Sequence, residues 1–252
     1  MAAGYCSAIT RRIRRWTQRG SDLLYLIPPQ VVDDSLYDWL HHLARHAPVE
    51  TILEIGSSAG RGSTKALVDG ALMNPRRPRL YCLEISAIRF DRLQSHYTGS
   101  DQVICYPLSS VARDELPSEL EVAAHYNVNP RMQRTKWKNV QRWYRQDFEA
   151  IGSSVSGIEY VRAHHHIDRF GIVFIDGSEF TGKAELEHVY GAAFIVLDDI
   201  GTFKNADNYR RLEMDPSYHR LACDPALRNG FAVFARTDAP DVGSPENQST
   251  AR

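Results

Sequence analysis

The sequence predicts an α/β fold built on a doubly wound, mostly parallel sheet. Short runs rich in β-branched and aromatic residues alternate with helical patterns, which is typical of a parallel sheet covered by helices. A glycine-rich turn follows the first run, and acidic residues close later ones. One long stretch without a strand, residues 117–157, predicts a helical insertion between the third and fourth strands, either covering a sheet edge or facing a substrate.

The composition is that of an ordinary globular chain. Its 252 residues fit one α/β domain, with 43% hydrophobic and 24% charged residues. No apolar run approaches the roughly 20 residues that a membrane-spanning helix needs, so we expect no integral membrane contact. The 30 basic and 31 acidic residues leave a net charge of −1, which gives no general attraction to nucleic acid. The four cysteines form no C-x-x-C pair, which favours a reducing, cytoplasmic location.

The periodicity assigns the elements in order. An amphipathic helix is predicted over residues 31–46, because Val32, Leu36, Leu40 and Leu43 repeat at helical spacing. A helix follows the glycine turn, another runs through Phe90, and a third covers about residues 181–190. Strands are predicted over residues 51–55, 80–84, 103–106, 172–176, 194–198 and 231–234, with 218–221 pairing beside the last.

Two polar ends flank a predicted domain of residues 31–236. Residues 1–30 form a basic arm, and the apolar Ile9, Ile13 and Trp16 leave open an Arg-rich targeting or membrane-surface helix. Residues 237–252 are rich in Pro, Ser and Gly, and we expect them to be disordered.

The segment ILEIGSSAGRGST, residues 52–64, runs from a predicted strand through a glycine turn into a helix. Gly56 and Gly60 allow the backbone to approach a ligand closely, and the helix start offers a positive dipole end. Glu54 closes the first strand, where a carboxylate can accept from a ligand's ammonium group. Glu84 closes the second strand, where a carboxylate can accept both hydroxyls of a ribose.

The same glycines permit a second interpretation. Gly56, Gly60 and Gly62 match the G-x-x-x-G-x-G spacing of NAD(P)-dependent short-chain dehydrogenases. Those enzymes need a Tyr followed by Lys four residues later, and none of the 12 tyrosines has Lys at that position. A nicotinamide cofactor is therefore not expected.

Across roughly residues 31–234 the chain resembles the class I S-adenosylmethionine (SAM)-dependent methyltransferases, which have a Rossmann-like fold. The resemblance rests on EIGSSAG at 54–60, LYCLEIS at 80–86, FIDGSEF at 174–180 and VLDDI at 196–200. It implies a ribose ligand at Glu84 and an adenine neighbour at Ser109 or Ser110. The methionine-side contacts that it implies are Glu54, Gly56, Ser58 and Gly60.

Acidic residues close the fourth and fifth predicted strands. Asp176 ends one, and Asp198 with Asp199 ends the other, so the carboxylates should meet at one rim of the sheet. Such a cluster calls for a proton or a hard cation such as Mg²⁺ or Mn²⁺. The pattern resembles the metal sites of catechol-type and antibiotic-tailoring O-methyltransferases, in which the metal holds the substrate hydroxyl. Alternatively, Asp176 touches SAM or the substrate, and Asp198 or Asp199 caps the next helix.

The general base is less clearly marked. The similar metal-dependent enzymes often carry Lys or His three residues after the first metal-binding acid, and here that position is Glu179. Glu179, with Asp176 beside it, is the predicted catalytic residue, because neighbouring acids can raise its pKa into the range of a base. It can equally be a fourth metal ligand or a helix N-terminal acid.

Several other polar residues are weaker candidates. Lys204, Asn205 and Asn208 follow the fifth strand, where relatives place substrate loops, and His125 lies in the insertion. Residues 164–166 are three consecutive histidines, which cannot easily converge on one ion, so we expect structural or solvent-facing roles.

The sequence thus predicts a SAM-dependent methyltransferase that modifies a small-molecule hydroxyl, such as a sugar or natural-product intermediate, with Mg²⁺ or Mn²⁺ as a second cofactor. The alternatives are a metal-free enzyme with a general base, a non-catalytic SAM-binding module, and a nucleic-acid methyltransferase that uses the basic and aromatic stretch 131–145. The balanced charge and the lack of an N/D-P-P-Y/F motif argue against the last. A homo-oligomer stays open.

Overall fold

The computed structural model describes residues 23–152 and 155–245, and the fold is given for these residues. Strands and helices alternate along most of the chain, as the sequence predicts. The strands are β1 (Thr51–Ile55), β2 (Arg79–Leu83), β3 (Val103–Tyr106), β4 (Ile172–Ile175), β5 (Phe194–Asp198), β6 (Tyr218–Asp224) and β7 (Phe231–Arg236).

The helices are α1 (Ser35–His46), α2 (Ser63–Met73), α3 (Ala87–Tyr97), α4 (Glu119–Val128), α5 (Trp137–Ala150), α6 (Gly157–His165), α7 (Gly182–Val189) and α8 (Ala206–Met214). Short 3₁₀ turns cover Arg113–Glu115 and Met132–Arg134. No helix within the described ranges is both long enough and apolar enough to cross a membrane.

The strands form one sheet in the order β3-β2-β1-β4-β5-β7-β6. All neighbours from β3 to β5 are parallel, whereas β7 runs antiparallel to β5 and β6. The order reverses between β1 and β4, and in such sheets the strand ends diverge there and leave a crevice at their carboxyl ends. The predicted doubly wound, mostly parallel sheet is therefore confirmed.

Helix α1 shows how local sequence sets an element. Its predicted start at residue 31 moves to Ser35, because Asp34 caps the helix: the N–H of Tyr37 donates to Asp34 Oδ1 at 3.0 Å. Helix α1 packs tightly on α2 at Gly70, where an added Cβ would lie 2.3 Å from the carbonyl oxygen of His41.

The insertion folds as helices α4 and α5, as predicted from its helical spacing. Val122, Met132 and Val140 form a small apolar cluster with Phe180, which lies just after β4. The insertion therefore packs over the carboxyl end of β4.

The chain ends differ in part from expectation. Residues 237–245 are not detached from the domain, because the carbonyl of Val242 hydrogen bonds to His42 Nε2 at 2.8 Å and Ala239 packs against the core. Disorder was expected for this stretch because its polar composition conceals these two apolar anchors. Residues 1–22 and 246–252, which carry the rest of the predicted arm and tail, lie outside the described residues.

Candidate active site

A cavity of about 500 Å³ opens at the carboxyl ends of the parallel strands. It is walled by the glycine loop after β1, the ends of β2 and β4, the insertion, and residues 27–31 ahead of α1. This size is in the usual range for small-molecule sites. The predicted residues that line it are Gly56, Ser58, Glu84, Ser109, Ser110, Asp176, Glu179, Asp199 and Lys204.

The glycine loop crosses the backbone that follows β4 at very short range. Gly56 has φ +85°, and an added Cβ would lie 2.2 Å from the carbonyl oxygen of Asp176. The N–H of Asp176 also donates to the carbonyl of Ile55 at 3.1 Å. Gly56 therefore fixes the loop against the site of the acids.

Gly56→Ala is expected to destabilise the fold by roughly 2–4 kcal/mol, because it adds a backbone clash to the strain of a positive φ. Gly99→Ala is the matched control, since Gly99 also has φ +85° but no atom within 4 Å of an added Cβ. Urea unfolding of both variants measures the difference. Equal losses would contradict the proposed close contact.

Glu84 ties the end of β2 to the glycine loop. The N–H of Ser58 donates to Oε2 and the N–H of Ser86 donates to Oε1, both at 2.8 Å. Burial raises the pKa of Glu84, against the opposing effects of Arg89 and these backbone donors. Each carboxylate oxygen can accept more than one hydrogen bond, so Glu84 can still receive ligand hydroxyls from the cavity that it lines.

Glu54 lies beneath the glycine loop rather than in the cavity. Its side chain has no exposed surface, and Oε2 accepts from the hydroxyl of Thr64 at 2.7 Å. Burial raises its pKa. Gly60 is also turned away, since it packs on Leu93 and its carbonyl accepts from the hydroxyl of Tyr97 at 2.7 Å. Alternation along β1 explains this, because Glu54 points toward α2 while Ile55 reaches the rim.

Ser109 and Ser110 follow β3 and line the cavity. Ser109 Oγ accepts from the N–H of Val111 at 3.3 Å, and Ser110 Oγ donates to Oε1 of the fully buried Glu185 at 2.5 Å. Ser110 is thus committed to the interior, which leaves Ser109 as the better candidate for a ligand contact.

The predicted acids converge. One carboxylate oxygen from each of Asp176, Asp198 and Asp199 lies within 4.8 Å of the others. Asp199 has φ +57°, and its Oδ1 accepts from Asn229 Nδ2 at 2.9 Å. The side chains therefore meet at one rim, as the strand ends predicted.

Lys204 enters this acidic cluster. Its Nζ lies 2.7 Å from Asp176 Oδ1 and 2.8 Å from Asp199 Oδ2, and only 8% of its side chain is exposed. Asp198 Oδ1 instead accepts from Arg228 Nη2 at 3.4 Å, and Arg228 also pairs with Asp34. Each acid of the cluster therefore faces a cation from the chain itself.

Burial and neighbouring charges raise the pKa values of some groups in this cluster and lower those of others. Burial raises the pKa of Asp176 to about 6, against the pull of Lys204. Burial and the two neighbouring carboxylates raise the pKa of Asp198 to about 8. Burial would also raise the pKa of Asp199, but Lys204 and Asn229 outweigh it and lower the value. The acids outweigh burial at Lys204 and hold its pKa well above the usual range.

These contacts bear on the predicted divalent ion. Three carboxylates are a suitable donor set for Mg²⁺ or Mn²⁺. Such an ion would need oxygens at about 2.0–2.6 Å, whereas the 2.7 and 2.8 Å contacts of Lys204 are hydrogen-bond distances for an ammonium group. The donor chemistry thus fits a metal, but Lys204 stands between two of the three ligands.

Glu179 lies in the cavity at the start of the loop that leads to α7. The N–H of Phe203 donates to its Oε1 at 2.9 Å. Burial, and then the charge of Asp199, raise the pKa of Glu179 to about 7. This value suits a group that accepts a proton near neutral pH.

Asp147 is a cavity residue that sequence reasoning missed. It lies on α5, and the hydroxyl of Ser178 donates to its carboxylate. Burial raises its pKa to about 7. The available signal was its position on the inward stripe of the helix, at helical spacing from Val140 and Trp143, which also line the cavity.

Asp147→Asn is expected to stabilise the fold at about pH 8 by on the order of 2–4 kcal/mol, and by only about 0.5 kcal/mol near pH 4. A folded pKa of about 7 lies above the value of about 3.9 in an unfolded chain, so stability falls as pH rises between the two. Thermal melts at both pH values check this, with the exposed Glu149→Gln as control. An equal shift at both pH values would contradict the buried-acid explanation.

The remaining candidates do not face the cavity. The amide nitrogen of Asn208 donates to the carbonyl of Gly182 at 2.7 Å, and Asn205 is fully buried, so these side chains hold backbone rather than substrate. His125 packs edge-on against Phe203, outside the cavity lining. His165 Nε2 hydrogen bonds to the hydroxyl of Tyr106 at 2.7 Å, which is a structural contact.

Comparison with known proteins gives a fold but no sequence family. No protein-family profile and no curated protein sequence matches the chain. Among solved structures, cofactor-bound Rv0187 from MTB is 15% identical with a TM-score of 0.51, over 87% of this chain and 85% of that one. A structural-genomics protein from Corynebacterium glutamicum is 14% identical with a TM-score of 0.50, over 93% and 91% of the two chains. An O-methyltransferase from Bacillus cereus in complex with SAH aligns over 87% of each chain at 15% identity, with a TM-score of 0.48.

The strand order and the two similarities with TM-scores of 0.51 and 0.50 show a Rossmann-like α/β fold. This is the fold that the resemblance in the sequence motifs implies. At such low identity the fold is what the similarity shows, and the activity has to be argued from the site.

Proposed function

We propose that this chain is a SAM-dependent methyltransferase that acts on a hydroxyl group of a small molecule, such as a sugar or a natural-product intermediate. The observation that carries the proposal is the position of Glu84. Its carboxylate accepts from the N–H of Ser58 in the glycine loop at 2.8 Å, and it also lines the cavity. That geometry offers a carboxylate for ribose hydroxyls directly beside backbone that can approach the rest of the ligand.

The cofactor contacts divide into two kinds. Gly56 and Ser58 would approach the methionine part through backbone, Glu84 would hold the ribose, and Ser109 would adjoin the adenine. We assign Glu54 and Gly60 a supporting role, because Glu54 accepts from Thr64 on α2 and the carbonyl of Gly60 accepts from Tyr97 on α3. SAM, when bound, supplies a methyl group carried on a positively charged sulfur.

The chain's own residues would then handle the proton and the acceptor. Glu179 in its carboxylate form takes the proton from the acceptor hydroxyl, and the oxygen's electron pair forms the new bond to the methyl carbon while the carbon–sulfur pair stays on sulfur. Glu179 afterwards releases its proton to water. Asp176, which pairs with Lys204, is proposed to help hold the acceptor oxygen in line with the bond between the methyl carbon and sulfur.

The wall made by the insertion supports a small-molecule acceptor. Met132, Val140, Trp143 and Ile151 contribute apolar side chains to the lining of the cavity. Such a surface encloses a compact substrate and keeps water from the reacting atoms.

A metal-assisted mechanism and a non-catalytic SAM-binding module are the two alternatives to this proposal. Assistance by a divalent ion is supported by the convergence of Asp176, Asp198 and Asp199 and opposed by Lys204 in their midst. A non-catalytic SAM-binding module would bind SAM through the same Glu84 carboxylate and would lack turnover.

The test is a methyl-transfer assay with isotope-labelled SAM against a panel of phenols, catechols and sugars. We expect labelled product and one SAH for each methyl transferred with at least one class of hydroxyl compound. SAM binding without SAH formation across the panel would favour the non-catalytic module. If the chain shows no SAM binding and no turnover, the proposal is overturned.

A further inference from the structure

Lys204 is anchored, not merely placed beside the acids. The amide nitrogen of the next residue, Asn205, donates to the carbonyl of Ile175 at 3.1 Å and to that of Asp198 at 2.6 Å. Those carbonyls end β4 and β5, the two strands that carry the acids. On the other side Gly182 is pressed so closely that an added Cβ would lie 1.9 Å from the carbonyl oxygen of Lys204.

The acidic cluster is therefore built around this side chain. Lys204 bridges Asp176 and Asp199, and Arg228 faces Asp198, so each of the three carboxylates already lies beside a cation of the chain. Buried charges are tolerated when they are paired in this way. A divalent cation among the same oxygens would stand next to a buried ammonium group and would have to displace it.

We propose that the ammonium group of Lys204 is the resident cation of this site and takes the part that a divalent metal plays in similar enzymes. An ammonium group has three N–H donors. Two of them bond Asp176 and Asp199, and among the described residues the third has no protein acceptor, while Lys204 lines the cavity. That donor can hold the acceptor oxygen.

This inference rests on the proposed function and adds a residue to it. As Glu179 removes the proton, negative charge develops on the acceptor oxygen, and a nearby ammonium group stabilises it without giving up a proton of its own. Lys204 is thereby a candidate catalytic residue that neither the spacing of the acids nor position 179 indicated.

Titration of the full chain with Mn²⁺, followed by electron paramagnetic resonance, tests the proposal without an acceptor. Wild type is expected to bind no Mn²⁺ at the cluster. Lys204→Ala uncovers three carboxylates and should bind Mn²⁺ at least about tenfold more tightly than wild type, and Mn²⁺ should raise the Tm of that variant only. Lys65→Ala removes an exposed lysine paired with Asp69 and should behave as wild type.

Two results would overturn the proposal. One is binding of about one Mn²⁺ per wild-type chain that Asp199→Asn abolishes, since the cluster would then be a metal site despite Lys204. The other is a folded Lys204→Ala variant that gains no affinity for Mn²⁺. If that variant does not fold, the wild-type titration decides alone. SAM titration of the same samples separates the two proposals. If wild type and Lys204→Ala bind Mn²⁺ equally well while both still bind SAM, only the role of Lys204 is overturned.

Discussion

Glu179→Gln is expected to lower the methyl-transfer rate at about pH 8 by roughly 100-fold to 10,000-fold, which is the usual contribution of a general base. The glutamine keeps the shape and can still accept from the N–H of Phe203, but it cannot take a proton. SAM affinity should stay within about twofold, because SAM is assigned to Glu84 and the glycine loop.

The pH profile gives the sign of the effect. Burial and Asp199 raise the pKa of Glu179 to about 7, so the carboxylate form that accepts a proton grows as pH rises through that value. The wild-type rate should therefore climb between about pH 6 and pH 8 and then level off. The glutamine variant should lose this rise.

Asp147→Asn is the matched control for that experiment. Asp147 lines the same cavity and has a pKa of about 7, but it hydrogen bonds Ser178 and is not the proposed base. We expect this variant to keep the rise with pH. If Asp147→Asn flattens the profile and Glu179→Gln preserves it, the base is Asp147 and the assignment of Glu179 is wrong.

Glu84→Ala is expected to lose on the order of 2–3 kcal/mol of SAM affinity, or roughly 30-fold to 150-fold in Kd. The loss has two sources, because the carboxylate is assigned to the ribose hydroxyls and also holds the N–H groups of Ser58 and Ser86. Calorimetry measures it, with the exposed Glu187→Ala as control. An unchanged Kd in Glu84→Ala would remove the ribose assignment.

Local sequence predicted the sheet well because its strands are short apolar runs closed by clear signals. The predicted boundaries of β1, β3 and β5 coincide with the observed ones, β2 is shifted by one residue, and β4 ends one residue earlier than predicted. Residue spacing also brought Asp176, Asp198 and Asp199 together, since parallel strands end at the same rim.

The site was less predictable where contacts depend on side-chain direction or on distant segments. Glu54 is the next-to-last residue of β1 and Glu84 directly follows β2, yet only Glu84 lines the cavity, because alternation along β1 turns Glu54 under the loop. Lys204 meets Asp176 across 28 residues, through a loop whose path the sequence does not encode in any periodic pattern. Asp147 was not predicted because it lies in the insertion, whose position over β4 depends on tertiary packing.

Calorimetric titration of the full wild-type chain with SAM tests the central claim most directly. We expect binding of about one SAM per chain, competition by SAH, and weakening by Glu84→Ala but not by Glu187→Ala. No detectable SAM binding, or binding that is indifferent to Glu84, would contradict the assignment of the cavity as a SAM site.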